Sequence, residues 1–224
     1  DLAEILSKVI ESPTQLKKLR DLPLADRPVL AFESGAGCYG SCNGKRIMLS
    51  KKMGTGYRTA KTFVHELQHQ YQFKHDGVDK YKNGLSLAED ILDDRLNESA
   101  AEMASCQYMF EIRNNNPQAH AVFIRESTQG MYARGMRSYA IAKAAGKSEG
   151  ECVLAGMRGY AVNFKLARNY ECDYHKDIEN PPRFLHPENF ADNVRKGREE
   201  AAVKFINKDL SGKKLDIVAA FKSH

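Results

Sequence analysis

The amino-acid sequence predicts an α+β protein dominated by helices, with a small β-hairpin or three-stranded sheet packed on a helical body. Two observations carry this. Most of the chain repeats its apolar residues at i, i+3, i+4 and i+7, the period of an amphipathic helix. Only two short apolar runs, Val29 to Phe32 and Arg46 to Ser50, have strand character, and a glycine-rich stretch joins them.

In chain order, Leu2 to Leu19 has helical periodicity, with Leu2, Ile5, Leu6, Val9 and Ile10 on one face. Pro23 and Pro28 punctuate the chain before the first strand. Ser34 to Gly44 holds four glycines, as a turn requires, and Arg46 to Ser50 reads as a second strand pairing back on the first. Gly54 and Gly56 lead into a helix from about 59 to 73, whose stripe is Ala60, Phe63, Val64, Leu67 and Tyr71. A charged loop follows, then a helix from Leu85 to about Arg113 with an expected bend. Pro117 opens another helix, which is expected to run to about Ala145 and stop at Gly146. Further helices are expected from about 149 to 170 and, after Pro181-Pro182, from about 187 to 207. Tyr139, Tyr160 and the methionines at 103, 109, 131, 136 and 157 read as core packing. The chain divides into a core over 1–115 and a helical region over 116–224 that completes or covers a cleft, within what is compatible with one continuous domain.

Composition narrows the function classes. The 224 residues carry a net charge of +5, and short basic runs such as Lys213-Lys214 and 195–198 lack aromatic interleaving, so no nucleic-acid partner is expected. No stretch approaches the ~20 apolar residues of a spanning helix, so no membrane partner is expected either. No leader is visible in the first ten residues, which points to the cytoplasm or to secretion by a route that leaves no such signal. Secretion as an effector acting on host proteins is compatible with this, and no residue pattern argues for it. Five cysteines at irregular spacing suit reduced thiols; Cys38 and Cys42, flanking a tight turn, are compatible with a local disulfide or with two thiols on a hairpin.

The most informative peptide is His65-Glu66-Leu67-Gln68-His69. Helical residues four apart share a face, so both imidazoles can reach one metal ion, and Glu66 can poise a metal-bound water as general base. At ~100° per residue, His65 and His69 fall opposite the apolar stripe, away from the main core. A catalytic zinc takes three protein ligands and keeps a fourth position open. Glu98, among small residues in Arg95 to Glu102, is the best third candidate; Glu89, Asp90, Asp93, Asp94 and Glu102 are alternatives. Glu102, one turn beyond Glu98, suits a residue that orients a ligand histidine. His75, His120 and His224 read as surface residues.

Glu98 followed four residues later by Glu102 resembles the Glu-x-x-x-Asp signature that accompanies His-Glu-x-x-His in gluzincin-type zinc metallopeptidases. More closely, residues 1–115 resemble an uncharacterised bacterial metallopeptidase domain family. Its pattern joins a glycine-rich hairpin, a strand, His-Glu-Leu-x-His-x-x-Gln and Arg-x-x-Glu-Ala-Asp-Ala. This chain has Gly40 to Leu49, then His65 to Gln72, then Arg95 to Glu102. It departs from these patterns at Ser99-Ala100 and at Glu102. The resemblance implies a zincin-like fold, one Zn2+ per chain on His65, His69 and Glu98, and Arg46, Ile47, Met48 and Leu49 as an edge strand pairing with a protein or peptide substrate. It also implies peptide-bond hydrolysis by Glu66-assisted attack of zinc-bound water. The oxyanion donor that this chemistry needs is sought in Tyr170, Tyr174 and His175. The alternative is a catalytically silent zinc-binding module, regulatory or protein-interacting, on the same scaffold; retention of Glu66 argues against it.

Overall fold

The computed structural model describes residues 2–34, 39–75, 87–126 and 133–161. In element order these form α1 (Leu2–Val9), α2 (Pro13–Asp21), β1 (Val29–Glu33), β2 (Gly40–Cys42), β3 (Arg46–Ser50), α3 (Tyr57–His75), α4 (Leu87–Glu111), α5 (Pro117–Glu126), α6 (Ala133–Ala144) and α7 (Glu149–Ala161). The α+β class with a small three-stranded sheet is therefore observed. The described parts of the helices expected from 117 and from 149 are present; the helix expected over 187–207 lies outside the described residues.

The N-terminal helical stretch is two helices, because Pro13 cannot donate to a preceding turn and instead starts α2. Ser12 caps α2 by accepting from the Gln15 backbone N–H at 3.2 Å. Its hydroxyl donates to the Glu111 carboxylate, which also accepts from the Thr14 N–H at 3.2 Å, so the end of α4 fastens the start of α2.

The sheet has the order β1-β3-β2. β3 pairs with β1 as expected, but the hairpin orientation is corrected: the two run parallel, from Val29↔Arg46 to Glu33↔Ser50. The antiparallel partner of β3 is β2, from within the glycine-rich stretch read as a turn, with Gly40↔Leu49 and Cys42↔Ile47. Three residues, Gly40-Ser41-Cys42, have too little side-chain pattern to announce a strand, and only the neighbouring β3 makes them one.

Helix α3 lies against β2, β3 and α1. Ile5, Val9, Ile47, Leu49, Ala60, Phe63, Val64 and Leu67 are buried there, which confirms the expected stripe except Tyr71, which is half-buried. Gln70, fully buried, donates to Asp26 O at 2.7 Å and to Gly44 O at 3.1 Å, tying the approach to β1 and the turn after β2 to α3. From Ser99 on, α4 buries Ser99, Ala100, Ala101, Ala104 and Ser105, and Ser105 donates to the Lys61 carbonyl at 3.2 Å. A 3₁₀ turn, Ile112–Asn114, ends it, and Asn116 caps α5 by accepting from Ala119 N at 3.0 Å.

The contacts gather into two units, Asp1–His75 with Ala101–Glu126, and Asp76–Ala100 with Ser127–His224. The first contains the sheet, α1, α2, α3 and α5. In the second, α6 and α7 form an antiparallel pair. Gly146 (φ +69°) ends α6 in a Schellman arrangement, with Gly146 N–H to Lys143 O at 3.1 Å and Lys147 N–H to Ala142 O at 3.1 Å. Ser148 and Glu151 make a reciprocal capping box at the start of α7. Met103, Met109, Met136, Met157, Tyr139 and Tyr160 are buried as expected; Met131 lies outside the described residues.

Candidate metal centre

Helix α3 carries both histidines on one face. Their Nε2 atoms are 3.1 Å apart and their rings meet edge to face at a centroid distance of 4.8 Å. A tetrahedral ion with ligands at ~2.0 Å separates its ligand atoms by ~3.3 Å, so this spacing suits two ligands of one ion. His65, His69 and Glu98 each offer one ligand atom, all within 4.8 Å of one another, and all three are half-buried. This group is positioned to bind a metal ion, and two imidazoles with one carboxylate are the donor set of a catalytic zinc with an open position.

Glu102 faces the other side of the ring: its Oε1 is 3.9 Å from His65 Nδ1, while Lys61 Nζ lies 3.7 Å from its Oε2. Of the alternative third ligands, Glu102 thus stands on the Nδ1 side of the His65 ring and is not among the ligand group. The side chains of Glu89, Asp90, Asp93 and Asp94 lie outside the described residues. Behind the second imidazole is a residue that the sequence reading assigned no role: Gln72 Oε1 lies 2.9 Å from His69 Nδ1. The available signal was its place as the last residue of the His-Glu-Leu-x-His-x-x-Gln pattern, three positions after His69 on the helix.

Glu66 is 6% exposed. Strand β2 runs over its face of α3, where Arg58, Thr62, Glu66 and Gln70 recur every fourth residue. Tyr39 stacks on the Arg58 guanidinium at 4.9 Å, Gly40 lies against Thr62 and Glu66, and the Cys42 thiol donates to Gln70 Oε1 at 3.4 Å. Cys38 lies outside the described residues, and with it the choice between a local disulfide to Cys42 and two thiols on a hairpin.

Arg46, Ile47, Met48 and Leu49 were expected to form an edge strand for substrate. That expectation is corrected: β3 is the central strand, its backbone engaged by β1 on one side and β2 on the other, and Ile47 and Leu49 are fully buried. The edges are β1 and β2. Because Ser50 N–H bonds Tyr39 O and Asn43 N–H bonds Arg46 O, the alternation of an antiparallel ladder turns the backbone groups of Gly40 and Cys42 away from β3.

Tyr170, Tyr174 and His175 lie outside the described residues, as do His224 and the side chain of His75. His120 is corrected from a surface residue to a half-buried one. Its ring packs edge-on to Phe110 at 4.8 Å, and burial, helped by Arg113, holds its pKa below the ordinary imidazole value. Among the described residues no helix is long and apolar enough to cross a membrane.

No protein-family model, curated protein or solved structure matches the chain. The resemblance to gluzincins therefore rests on its sequence motifs.

Proposed function

We propose that this protein is a zinc-dependent metallopeptidase. The observation that carries the proposal is the convergence of His65, His69 and Glu98, three residues from two helices, beside the buried Glu66. A site serving stability alone closes its coordination with a fourth protein ligand and has no use for an adjacent general base. Among the described residues the ligand group holds three members.

In this reading His65, His69 and Glu98 hold the ion, with Glu102 and Lys61 behind His65. When bound, zinc supplies Lewis acidity at a scissile carbonyl and brings the pKa of a water to ~7. Glu66 takes the proton of the attacking water and returns it to the departing amine. The outer edge of β2, with Gly40 beside Glu66, takes the place first assigned to β3: an extended peptide adds there as a further strand, held by backbone hydrogen bonds. The chain's own residues thus bind, orient and move the proton, and the substrate class is a protein or peptide in extended form.

The test is metal content together with cleavage of a diverse peptide library. Gently purified protein should carry about one zinc per chain and cleave the library. Glu66→Gln should retain the zinc and lose cleavage by at least ~10²-fold. Absence of metal from the wild type sinks the proposal, as does equal cleavage by the Glu66→Gln variant. Zinc without cleavage of any peptide sinks the peptidase reading and leaves a zinc-binding module.

A further inference from the structure

Gln72 stands on α3 three residues after His69, 4% exposed, with its amide oxygen on the ring nitrogen that points away from His65. An amide oxygen only accepts, so His69 Nδ1 must carry the proton and Nε2 must keep its lone pair. Neutral imidazole in water favours the opposite tautomer, so the bond to Gln72 reverses the intrinsic preference. The reversal matters because His69 Nε2 lies 3.1 Å from His65 Nε2. A proton at that position would occupy the direction in which a metal ligand needs a bare lone pair.

The two histidines are backed by different groups. His65 has a carboxylate at 3.9 Å, itself 3.7 Å from a lysine ammonium, whereas His69 has a neutral amide at 2.9 Å. A carboxylate at position 72 would make the same hydrogen bond and add a negative charge at a site that already gathers Glu66, Glu98 and Glu102. More charge on the ligands holds a cation more tightly and leaves it a weaker Lewis acid.

We propose that Gln72 is a positioning residue that locks His69 in the Nδ1-protonated tautomer, presenting Nε2 to the metal without adding charge. The consequence for metal binding rests on the metallopeptidase reading; the tautomer does not. Gln72 touches neither substrate nor metal and acts through His69.

The experiment reads both. Long-range ¹H–¹⁵N NMR of the metal-free protein at about pH 8, above the ordinary imidazole range, assigns the tautomer of His69. Zinc affinity is measured by competition with a chromophoric chelator. The wild type should show Nδ1–H at His69. Gln72→Met, similar in size and without an acceptor, should shift His69 toward Nε2–H and weaken zinc by about 10–100-fold. Gln72→Glu should keep Nδ1–H and bind zinc at least as tightly as the wild type. An Nε2–H tautomer in the wild type overturns the proposal, and this result needs no variant to fold. An unchanged tautomer in folded Gln72→Met overturns it as well, as does unchanged zinc affinity in that variant. Nδ1–H in a wild type that binds no zinc overturns the metal reading while leaving the Gln72–His69 bond established.

Discussion

Gly40 of β2 lies so close to Glu66 of α3 that a methyl group at position 40 would sit 3.0 Å from both Cγ and Oε1 of the glutamate, and 2.7 Å from Thr62 Cγ2. A strand can cross Glu66, the proposed general base, at this distance only without a side chain. Gly40→Ala should therefore displace the Glu66 carboxylate and lower peptide cleavage by on the order of 10²-fold, the effect of a displacement near 1 Å. Bound zinc should be retained. Adding Thr62→Ser removes the tightest contact and should restore part of the activity, a non-additivity read from the double-mutant cycle. Wild-type cleavage by Gly40→Ala would show that the strand is free to move away.

Glu98 and Glu102 share a helix face one turn apart, and the geometry separates them: Glu98 falls in the ligand group, whereas Glu102 lies 3.9 Å from His65 Nδ1. Glu98→Gln removes a proposed ligand and should reduce bound zinc well below one per chain after dialysis. Glu102→Gln leaves the three ligands in place and should weaken zinc by about 10–100-fold, without abolishing it at saturating metal. Equal losses in the two variants would contradict the division.

His120 Nε2 is buried without a hydrogen-bond partner among the described residues, and burial lowers the pKa of the ring. As pH falls below the ordinary imidazole value, the unfolded chain binds a proton that the folded chain does not, so stability falls with pH until the folded state protonates as well. His120→Phe preserves packing against Phe110 and Phe123 and removes the titration. Between about pH 7.5 and 5.5 its urea midpoint should decline less than that of the wild type. A decline of the same size would mean that His120 does not contribute.

Where α6 crosses α7, a methyl group at Gly159 would meet the Arg134 carbonyl oxygen at 2.7 Å and Ser138 Oγ at 2.5 Å. Alanine gains ~1 kcal/mol of helix propensity over glycine, whereas overpacking costs ~1–3 kcal/mol. The backbone carbonyl cannot rotate away, so the clash should win and Gly159→Ala should lower the thermal midpoint. A raised midpoint would show that the two helices can separate at little cost.

Much of the local structure was legible from periodicity and punctuation. The stripe through Ala60, Phe63, Val64 and Leu67 set the orientation of α3, and with it the shared face of His65 and His69, because helical geometry repeats every 3.6 residues whatever the surroundings. Pro117 and Gly146 marked helix ends through their own backbone chemistry. The break at Pro13 is masked in the sequence by the apolar repeat before it. Spacing and small neighbours single out Glu98, and its carboxylate offers an oxygen within 4.8 Å of a ring nitrogen of each imidazole.

The sequence by itself determined which residues could ligate and which helix faces would present them, since both follow from side-chain chemistry and the helical period. Only the tertiary structure decided the sheet order, the exchange of β3 for β2 as the strand at the edge, the nearness of Gly40 to Glu66 and the buried setting of His120. These depend on which distant segments meet, and strand pairing follows from backbone groups that every residue carries alike. Gln72 stands between the two cases. Its distance along the helix was written in the chain, but only the structure shows its amide oxygen 2.9 Å from His69 Nδ1.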